Sequence, residues 1–204
     1  MNISYLIDEA YDIGMVQTPS EIEKLANLFY ELNPKNILEI GSFQGGTFYL
    51  WCKLSKNDSK KISVDIRQNG CDYDLRNKNM VGWGNNIHII ENDSHLPETL
   101  DKIKQILNGE ELDFLFIDGD HSYEGVKQDY EFYKNLVRHD GIIAFHDIND
   151  TNFHIFSNCL VSKLWKELKE EKKIEFNIGA ESCGIGVIKV KKINNTSNYF
   201  PRNL

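Results

Sequence analysis

The sequence predicts an α/β fold, a three-layer α/β/α sandwich in which helices cover both faces of a mostly parallel sheet. Short apolar runs alternate with amphipathic stretches along most of the chain, as in repeated strand–helix–strand units. A glycine-rich turn follows the first apolar run, where a ligand could approach the backbone closely. The last two apolar runs have no helix between them, so we expect an antiparallel hairpin at the end of the sheet.

The elements follow from these patterns in chain order. Residues 19–32 predict a helix that Ser20 can cap, with Glu23 three residues further on, as in a capping box. Apolar runs predict strands at 36–40, 61–66, 86–90, 112–117 and 141–145. The stretches between them predict helices at 47–54, 96–107, 123–137 and 152–171. The hairpin comprises 173–178 and 184–190, and the arrangement is Rossmann-like.

Composition indicates one globular domain, with an N-terminal helical segment (1–35), a core (36–192) and a tail (193–204). The formal net charge of −8 argues against nucleic acid as the main partner. The four cysteines show no CxxC spacing, so we expect reduced thiols and a cytoplasmic protein. No run approaches the ~20 apolar residues that span a bilayer, so no membrane partner is expected. The oligomeric state stays open, a homo-oligomer included.

The glycine turn has features of a binding site. It reads Glu39-Ile-Gly-Ser-Phe-Gln-Gly45-Gly-Thr, and Phe43 stands where a dinucleotide fingerprint needs its second glycine. The acid at Glu39 would oppose a pyrophosphate at this turn, but it suits a ligand that carries an ammonium group. The alternative is an ordinary strand–turn–helix connection with small residues for packing.

The next two strands also end in polar residues. Asp65 lies about 20 residues after the glycines, the spacing at which an acid binds ribose hydroxyls. Asp93 and Ser94 follow the third strand, where they could hydrogen-bond an adenine edge, cap the following helix, or do both.

The fourth and fifth strands end in acids and histidines. Asp118 and His121 follow one strand, and His146 and Asp147 end the other. Adjacent parallel strands would bring the two aspartates together, where a cation or a proton would relieve their repulsion. The alternative is two capped strand ends with solvated acids.

These motifs together resemble class I S-adenosylmethionine methyltransferases. Over about residues 15–190, the glycine turn, Asp65, the Asp118-Gly-Asp-His-Ser-Tyr-Glu block and the Gly-Ile-Ile-Ala-Phe-His-Asp147 run are most similar to a small metal-linked O-methyltransferase group. That group includes macrolide-sugar and aminocoumarin O-methyltransferases and cephalosporin hydroxylase-like proteins, with catechol O-methyltransferase a more distant relative.

The resemblance implies a seven-stranded sheet whose last strand is antiparallel, and it assigns roles to residues. The methionine part of the donor would lie on the turn, at Glu39, Gly41, Ser42, Phe43, Gly45 and Thr47. Asp65 would bind the ribose, and Asp93 and Ser94 would lie by the adenine. Asp118 would line the donor site and ligate a metal, together with His146 and Asp147. His121 matches a catalytic histidine.

One departure from that group concerns the metal. Its members commonly end the fifth strand in Asp-Asn, Glu-Asp or Asp-Asp, whereas here the pair is His146-Asp147, or Asp147-Ile148 if the alignment slips by one. Imidazole is a poorer ligand for Mg²⁺ than for a transition metal. The sequence therefore leaves Mg²⁺, another divalent cation such as Mn²⁺, and no metal open.

The mechanism that we expect is methyl transfer to a small-molecule hydroxyl, on a sugar or natural product. His121 would remove the hydroxyl proton, and a cation on Asp118 and Asp147 would orient the acceptor. An NAD-dependent oxidoreductase, a non-catalytic binding domain and a nucleic-acid methyltransferase are the rival interpretations. Residues 68–85 are either a lid or a surface loop, and residues 1–18 either cover the acceptor or serve packing.

Overall fold

A computed structural model describes residues 2–67, 71–169, 172–179 and 182–192 of the chain. Within these ranges, seven strands form one sheet in the order β3-β2-β1-β4-β5-β7-β6. The strands are β1 (Asn36–Ile40), β2 (Lys60–Asp65), β3 (Ile87–Glu91), β4 (Leu112–Ile117), β5 (Val137–His146), β6 (Lys173–Phe176) and β7 (Ile185–Lys189). The first five strands are parallel, and β7 pairs antiparallel with both β5 and β6, so the predicted sheet and closing hairpin are confirmed. The tail at 193–204 lies outside the described residues.

Helices cover both faces of the sheet, as the sequence predicts. They are α1 (Ile3–Ile13), α2 (Pro19–Leu32), α3 (Gly46–Leu54), α4 (Tyr73–Val81), α5 (Pro97–Leu107), α6 (Tyr123–Tyr133), α7 (Asn152–Ser157) and α8 (Val161–Glu167). One core contains Leu38 with α5, α6 and α8, and the other contains Ile37 with α1 to α4. Ile37 and Leu38 are neighbours in β1. They lie in different cores because successive side chains of a strand point to opposite faces of the sheet.

Four sequence predictions need correction. Ser20 does not cap the helix at 19–32, because α2 begins at Pro19 after Thr18 and Ser20 lies inside its first turn. The long helix at 152–171 is wrong, because Asn158 takes a left-handed conformation (φ 55°) that ends α7 and separates it from α8. The helix at 123–137 ends earlier, since Val137 already pairs with Leu112 as a strand residue. The described part of 68–85 contains α4, so it is not simply a surface loop.

The break after α7 matters for the site. The amide of Cys159 donates to the carbonyl of His154 (2.9 Å), and that of Leu160 donates to the carbonyl of His121 (2.7 Å). These bonds hold α7 against the ends of β4 and β5. Of the helices in the described ranges, none combines the length and the hydropathy that a bilayer-spanning segment needs.

Candidate active site

The glycine turn after β1 lies between the ends of two neighbouring strands, β2 and β4. The amide of Gly41 donates to the carbonyl of Val64 in β2 (2.9 Å), and the amide of Asp118 donates to the carbonyl of Ile40 (2.8 Å). Gly41 has φ 83°, and a Cβ there would lie 2.0 Å from the carbonyl oxygen of Asp118. Only glycine therefore fits this position without moving the backbone.

Two cavities lie along this edge of the sheet. One, of about 190 Å³, is bounded by the glycine turn and by the loop at 14–17. The other, of about 330 Å³, extends past the ends of β2 and β3 to residues 92–95. They share Gly41, Asp65, Gly119 and His121 as lining residues, so they form adjoining parts of one site.

The N-terminal loop contributes a residue that sequence analysis did not assign to the site. Gln17 is buried, and its side chain accepts a hydrogen bond from the Thr47 hydroxyl (2.6 Å) and donates one to the Asp118 carboxylate (2.6 Å). Gln17 thus links the turn to the end of β4. Residues 2–18 consequently both pack on the core and form part of the cavity wall.

Asp65 lies where the two cavities meet, and it is held by a second unassigned residue. Its carboxylate accepts from the amide of Phe43 (2.6 Å) and pairs with the guanidinium of Arg76 in α4 (3.1 Å). The side chains of Asp65 and Arg76 are 3% and 2% exposed, so this is a buried ion pair. Burial raises the pKa of Asp65, although Arg76 acts to lower it.

Asp93 and Ser94 line the larger cavity, and their place beside an adenine stays a prediction. Asp93 also accepts from the amide of His95 (2.8 Å) and from the hydroxyl of Thr99 through its carbonyl (2.6 Å), which stabilises the start of α5. Both readings of this segment, cavity lining and helix start, are therefore compatible with the geometry.

Glu39 is fully buried and does not border either cavity within the described residues. Both carboxyl oxygens lack a hydrogen-bond partner in that part of the chain. Burial, together with the charges of Asp118 and Asp65, raises the pKa of this carboxyl well above its usual value. Burial therefore favours the neutral acid more than in a solvated glutamate, and the predicted charge pairing between Glu39 and a ligand ammonium group stays untested.

Two histidines lie between Asp118 and Asp147, the aspartates that the sequence predicts to be close together. Asp118 Oδ1 lies 3.4 Å from His121 Nε2 and 3.2 Å from His146 Nδ1. Asp147 Oδ2 lies 3.3 Å from His121 Nδ1, and its Oδ1 lies 3.2 Å from His146 Nδ1. The ends of β4 and β5 therefore come together as predicted, with the two imidazoles between the carboxylates.

A third histidine, His154, contacts Asp147, and the sequence did not indicate this contact. His154 of α7 is buried, and its Nε2 lies 3.0 Å from Asp147 Oδ1 while its Nδ1 donates to the carbonyl of Asn149 (2.6 Å). Asp147 itself has φ 62°, a left-handed conformation that is uncommon outside glycine and asparagine. This turn directs the chain from β5 into α7.

These contacts shift the pKa values of the cluster. Hydrogen bonds to Asp118 and to Cys159 raise the pKa of His121 to about 11. Burial acts to lower the pKa of His146, but the attraction of Asp118 and Asp147 outweighs it and raises the pKa to about 10. Burial acts to raise the pKa of Asp118, but His146 and His121 outweigh it and lower the value. The two carboxylates therefore favour the protonated form of both imidazoles.

The donor atoms at this site fit Mg²⁺ poorly. Mg²⁺ requires near-octahedral oxygen coordination, whereas each carboxylate here is already paired with histidines. Two groups of potential ligands come within 4.8 Å of one another, namely His121–Asp147–Cys159 and His146–Asp147–Cys183. Asp118 belongs to neither group, and its assignment as a metal ligand stays a prediction.

The fold and the position of this site define a class I methyltransferase architecture. The structure is similar to an O-methyltransferase of Bacillus cereus solved with S-adenosylhomocysteine, with a TM-score of 0.63, 16% identity and 91% of each chain covered. It is also similar to the O-methyltransferase TomG of Streptomyces achromogenes solved with S-adenosylmethionine, with a TM-score of 0.66, 12% identity, and 92% of this chain and 90% of that chain covered. At these identities the likeness concerns the fold.

Sequence comparisons establish the family. Residues 38–148 match the methyltransferase domain model, and the chain belongs to that family. It is 30% identical to an uncharacterized protein of Acanthamoeba polyphaga mimivirus over 166 residues, which cover 79% of this chain and 73% of that protein. It is 32% identical to tapetum-specific methyltransferase 1 of Arabidopsis thaliana over 127 residues, 59% of this chain and half of that relative.

Proposed function

We propose that the protein transfers the methyl group of S-adenosylmethionine to a hydroxyl oxygen of a small molecule such as a sugar or natural product. The observation that carries this proposal is the position of His121. It lines both cavities and lies between two carboxylates that stabilise its protonated form. A base in this place could take the proton that a hydroxyl must lose.

The two adjoining cavities supply the surfaces that the donor needs. The smaller one, at Gly41, Ser42, Phe43 and Thr47, would hold the methionine part, and the larger one, at Asp93 and Ser94, would hold the adenine. Asp65 lies between them, where ribose hydroxyls could donate to its carboxylate. When bound, the donor supplies a sulfonium-activated methyl carbon. Alignment of the acceptor oxygen within ~3–3.5 Å of such a carbon can contribute ~7–11 kcal/mol.

His121 must first lose its own proton to act as a base. A positive charge in the adjacent cavity lowers the pKa of an imidazole, so an occupied donor site would favour the neutral ring. The ring could then accept the hydroxyl proton at Nδ1 or Nε2, and Asp118 and Asp147 would stabilise the imidazolium that forms. Its side chain is 43% exposed, which gives the proton a route to solvent. General-base catalysis typically contributes ~10²–10⁴-fold.

Other properties support a small acceptor and a reducing compartment. The net charge of −8 disfavours a nucleic-acid acceptor. The four cysteines are free, which supports a cytoplasmic location. The proposed reaction gives Mg²⁺ no step, because the cluster offers few free oxygen ligands.

The test compares His121→Gln with His139→Gln, a matched change at an exposed histidine in β5. Transfer of labelled methyl from S-adenosylmethionine to a panel of sugars, glycosides and catechols should fall ~10²–10⁴-fold in the first variant only. Affinity for S-adenosylhomocysteine, measured by calorimetry, should change little in either variant. Unchanged turnover with weakened binding would overturn the role of His121, and methylation of amines alone would overturn the acceptor class.

Binding of the dinucleotide NAD is the rival to exclude. The amide of Phe43, which would face a pyrophosphate in a dinucleotide site, already donates to Asp65. Thermal unfolding should therefore shift upward with S-adenosylhomocysteine and not with NAD. A shift with NAD alone would favour an oxidoreductase.

A further inference from the structure

A histidine, a carboxylate and a thiol meet where β5 ends and β7 begins. One ligand atom from each of His146, Asp147 and Cys183 lies within 4.8 Å of the other two. Zinc bonds of about 2.0–2.3 Å place ligand atoms about 3.5 Å apart, so small side-chain movements would bring the three together around an ion.

The backbone holds these three residues in fixed relation. His146 pairs with Ile185 in the antiparallel register of β5 and β7. The amide of Asn149 donates to the carbonyl of Cys183 (3.0 Å), and the Asn149 side chain donates to the carbonyl of Ser182 (2.8 Å). The hydrogen bonds of Asn149 therefore hold the segment at 182–183 beside the end of β5.

The ring of His146 has an unsatisfied nitrogen. The side chain is only 5% exposed, and its Nδ1 lies 3.2 Å from both Asp118 Oδ1 and Asp147 Oδ1. Its Nε2 is buried and has no hydrogen-bond partner among the described residues. A buried polar group without a hydrogen-bond partner is unfavourable, so this nitrogen is available to a ligand. A metal-ligating histidine usually donates its other N–H to a carboxylate, which is the contact that Asp118 makes here.

The donor chemistry selects the ion. Imidazole nitrogen and thiolate sulfur favour Zn²⁺ and similar transition metals, whereas Mg²⁺ prefers oxygen alone. We infer that His146, Asp147 and Cys183 form a transition-metal site of the Zn²⁺ type, with Asp118 orienting His146. Three protein ligands leave a coordination position open, as in zinc sites that bind water or substrate. The inference goes beyond the proposed methyl transfer and does not depend on it.

The second group of donors, His121–Asp147–Cys159, is a weaker candidate. Both ring nitrogens of His121 already face carboxylates, and its side chain is 43% exposed. His146, in contrast, is buried and has a free nitrogen. Because the two groups differ in their cysteine, substitution of each thiol distinguishes them.

The experiment uses the full chain, stripped with a chelator and titrated with Co²⁺ as a spectroscopic substitute for Zn²⁺. Wild-type protein should develop a sulfur-to-cobalt charge-transfer band that Zn²⁺ abolishes and excess Mg²⁺ does not. Cys183→Ser should lose this band. Cys52→Ser, a change to a buried thiol in α3, is the matched control and should keep it. Asp118→Asn should weaken Zn²⁺ binding ~10–100-fold while leaving the band in place at saturation.

Two results would overturn the inference. One is a Co²⁺ titration of folded protein that gives no charge-transfer band. The other is a band that survives in Cys183→Ser and disappears in Cys159→Ser, which would assign the ion to the other group. Calorimetry with S-adenosylhomocysteine on the metal-free protein tests the donor site separately, so failure of one proposal is distinguishable from failure of the other.

Discussion

The ion pair of Asp65 and Arg76 and the cluster of histidines and carboxylates at the ends of β4 and β5 stabilise buried carboxylates in different ways. In the first, the buried carboxylate of Asp65 faces one permanent cation, Arg76, whose guanidinium keeps its proton near neutral pH. In the cluster, Asp118 and Asp147 face histidines and thiols, which can gain or lose protons or bind a metal. A site that only binds can be fixed in one state, whereas a site that handles protons requires groups that can change state.

The largest expected effect tests the buried ion pair of Asp65 and Arg76. Arg76→Leu leaves Asp65 buried without its partner, and we expect a loss of about 3–5 kcal/mol in the free energy of unfolding. Urea denaturation measures it. Arg67→Leu is the control, because Arg67 is 56% exposed and its pairs with Asp74 and Glu91 should contribute at most about 1 kcal/mol. Equal losses in the two variants would contradict the contrast between buried and exposed pairs.

The next effect tests the close approach at the glycine turn. Gly41→Ala combines a left-handed residue with a backbone clash at Asp118, and should cost about 3 kcal/mol. Gly109→Ala has the same φ of 83° with nothing within 4 Å of the new methyl group, and should cost about 1 kcal/mol. Urea denaturation gives both values. Affinity for S-adenosylhomocysteine should fall only in Gly41→Ala, and a fall in both would show that φ alone matters.

A smaller effect concerns the pH dependence of stability at His95, which lines the larger cavity. The carboxylate of Asp129, 3.3 Å from His95 Nε2, together with the charge of Asp93, raises the pKa of His95 to about 9. A raised folded-state pKa stabilises the protein fully below pH 6.5, and this stabilisation is lost as pH rises towards 9. The loss should be on the order of 1–2 kcal/mol, allowing for solvent screening of the partly exposed ring. Denaturation between pH 6 and 9 should show a flatter profile in His95→Gln; a parallel profile would refute the assignment.

The smallest expected effect concerns Glu39. Because its neutral form is favoured, Glu39→Gln should change the free energy of unfolding by less than about 1 kcal/mol. Affinity for S-adenosylhomocysteine should stay within about twofold of wild type, since 1.4 kcal/mol corresponds to tenfold. Calorimetry with S-adenosylhomocysteine measures this affinity. A loss of tenfold or more would restore the sequence-based prediction that a charged Glu39 pairs with the ligand ammonium group.

Much of the site around the glycine turn could be predicted from the sequence, because its residues lie close together along the chain. The glycines, Phe43 and Asp65 lie in one strand–helix–strand unit, and strand ends of a parallel sheet meet at one edge. Arg76 was missed for a physical reason. The buried face of α4 consists of Tyr73, Arg76 and Met80, and an arginine in that position hides the apolar period that marks a helix.

The cluster was only partly predictable, because distant segments assemble it. Asp118, His121 and His146 with Asp147 stand out at strand ends. His154 and Cys159 reach the site only because Asn158 breaks a segment with helical apolar spacing. Cys183 arrives through the pairing of β7 with β5. Gln17 lies before the sheet begins, and a single glutamine in a loop carries no pattern that indicates its 2.6 Å bonds to Thr47 and Asp118.

The loop at 14–17 lets one wall of the site vary. It forms part of the wall of the smaller cavity, yet none of its residues belongs to a strand of the sheet. Val16 is 69% exposed, so changing its size disturbs little of the core. Substitutions at Val16 would therefore reshape the wall of the smaller cavity while leaving the sheet and the glycine turn unchanged.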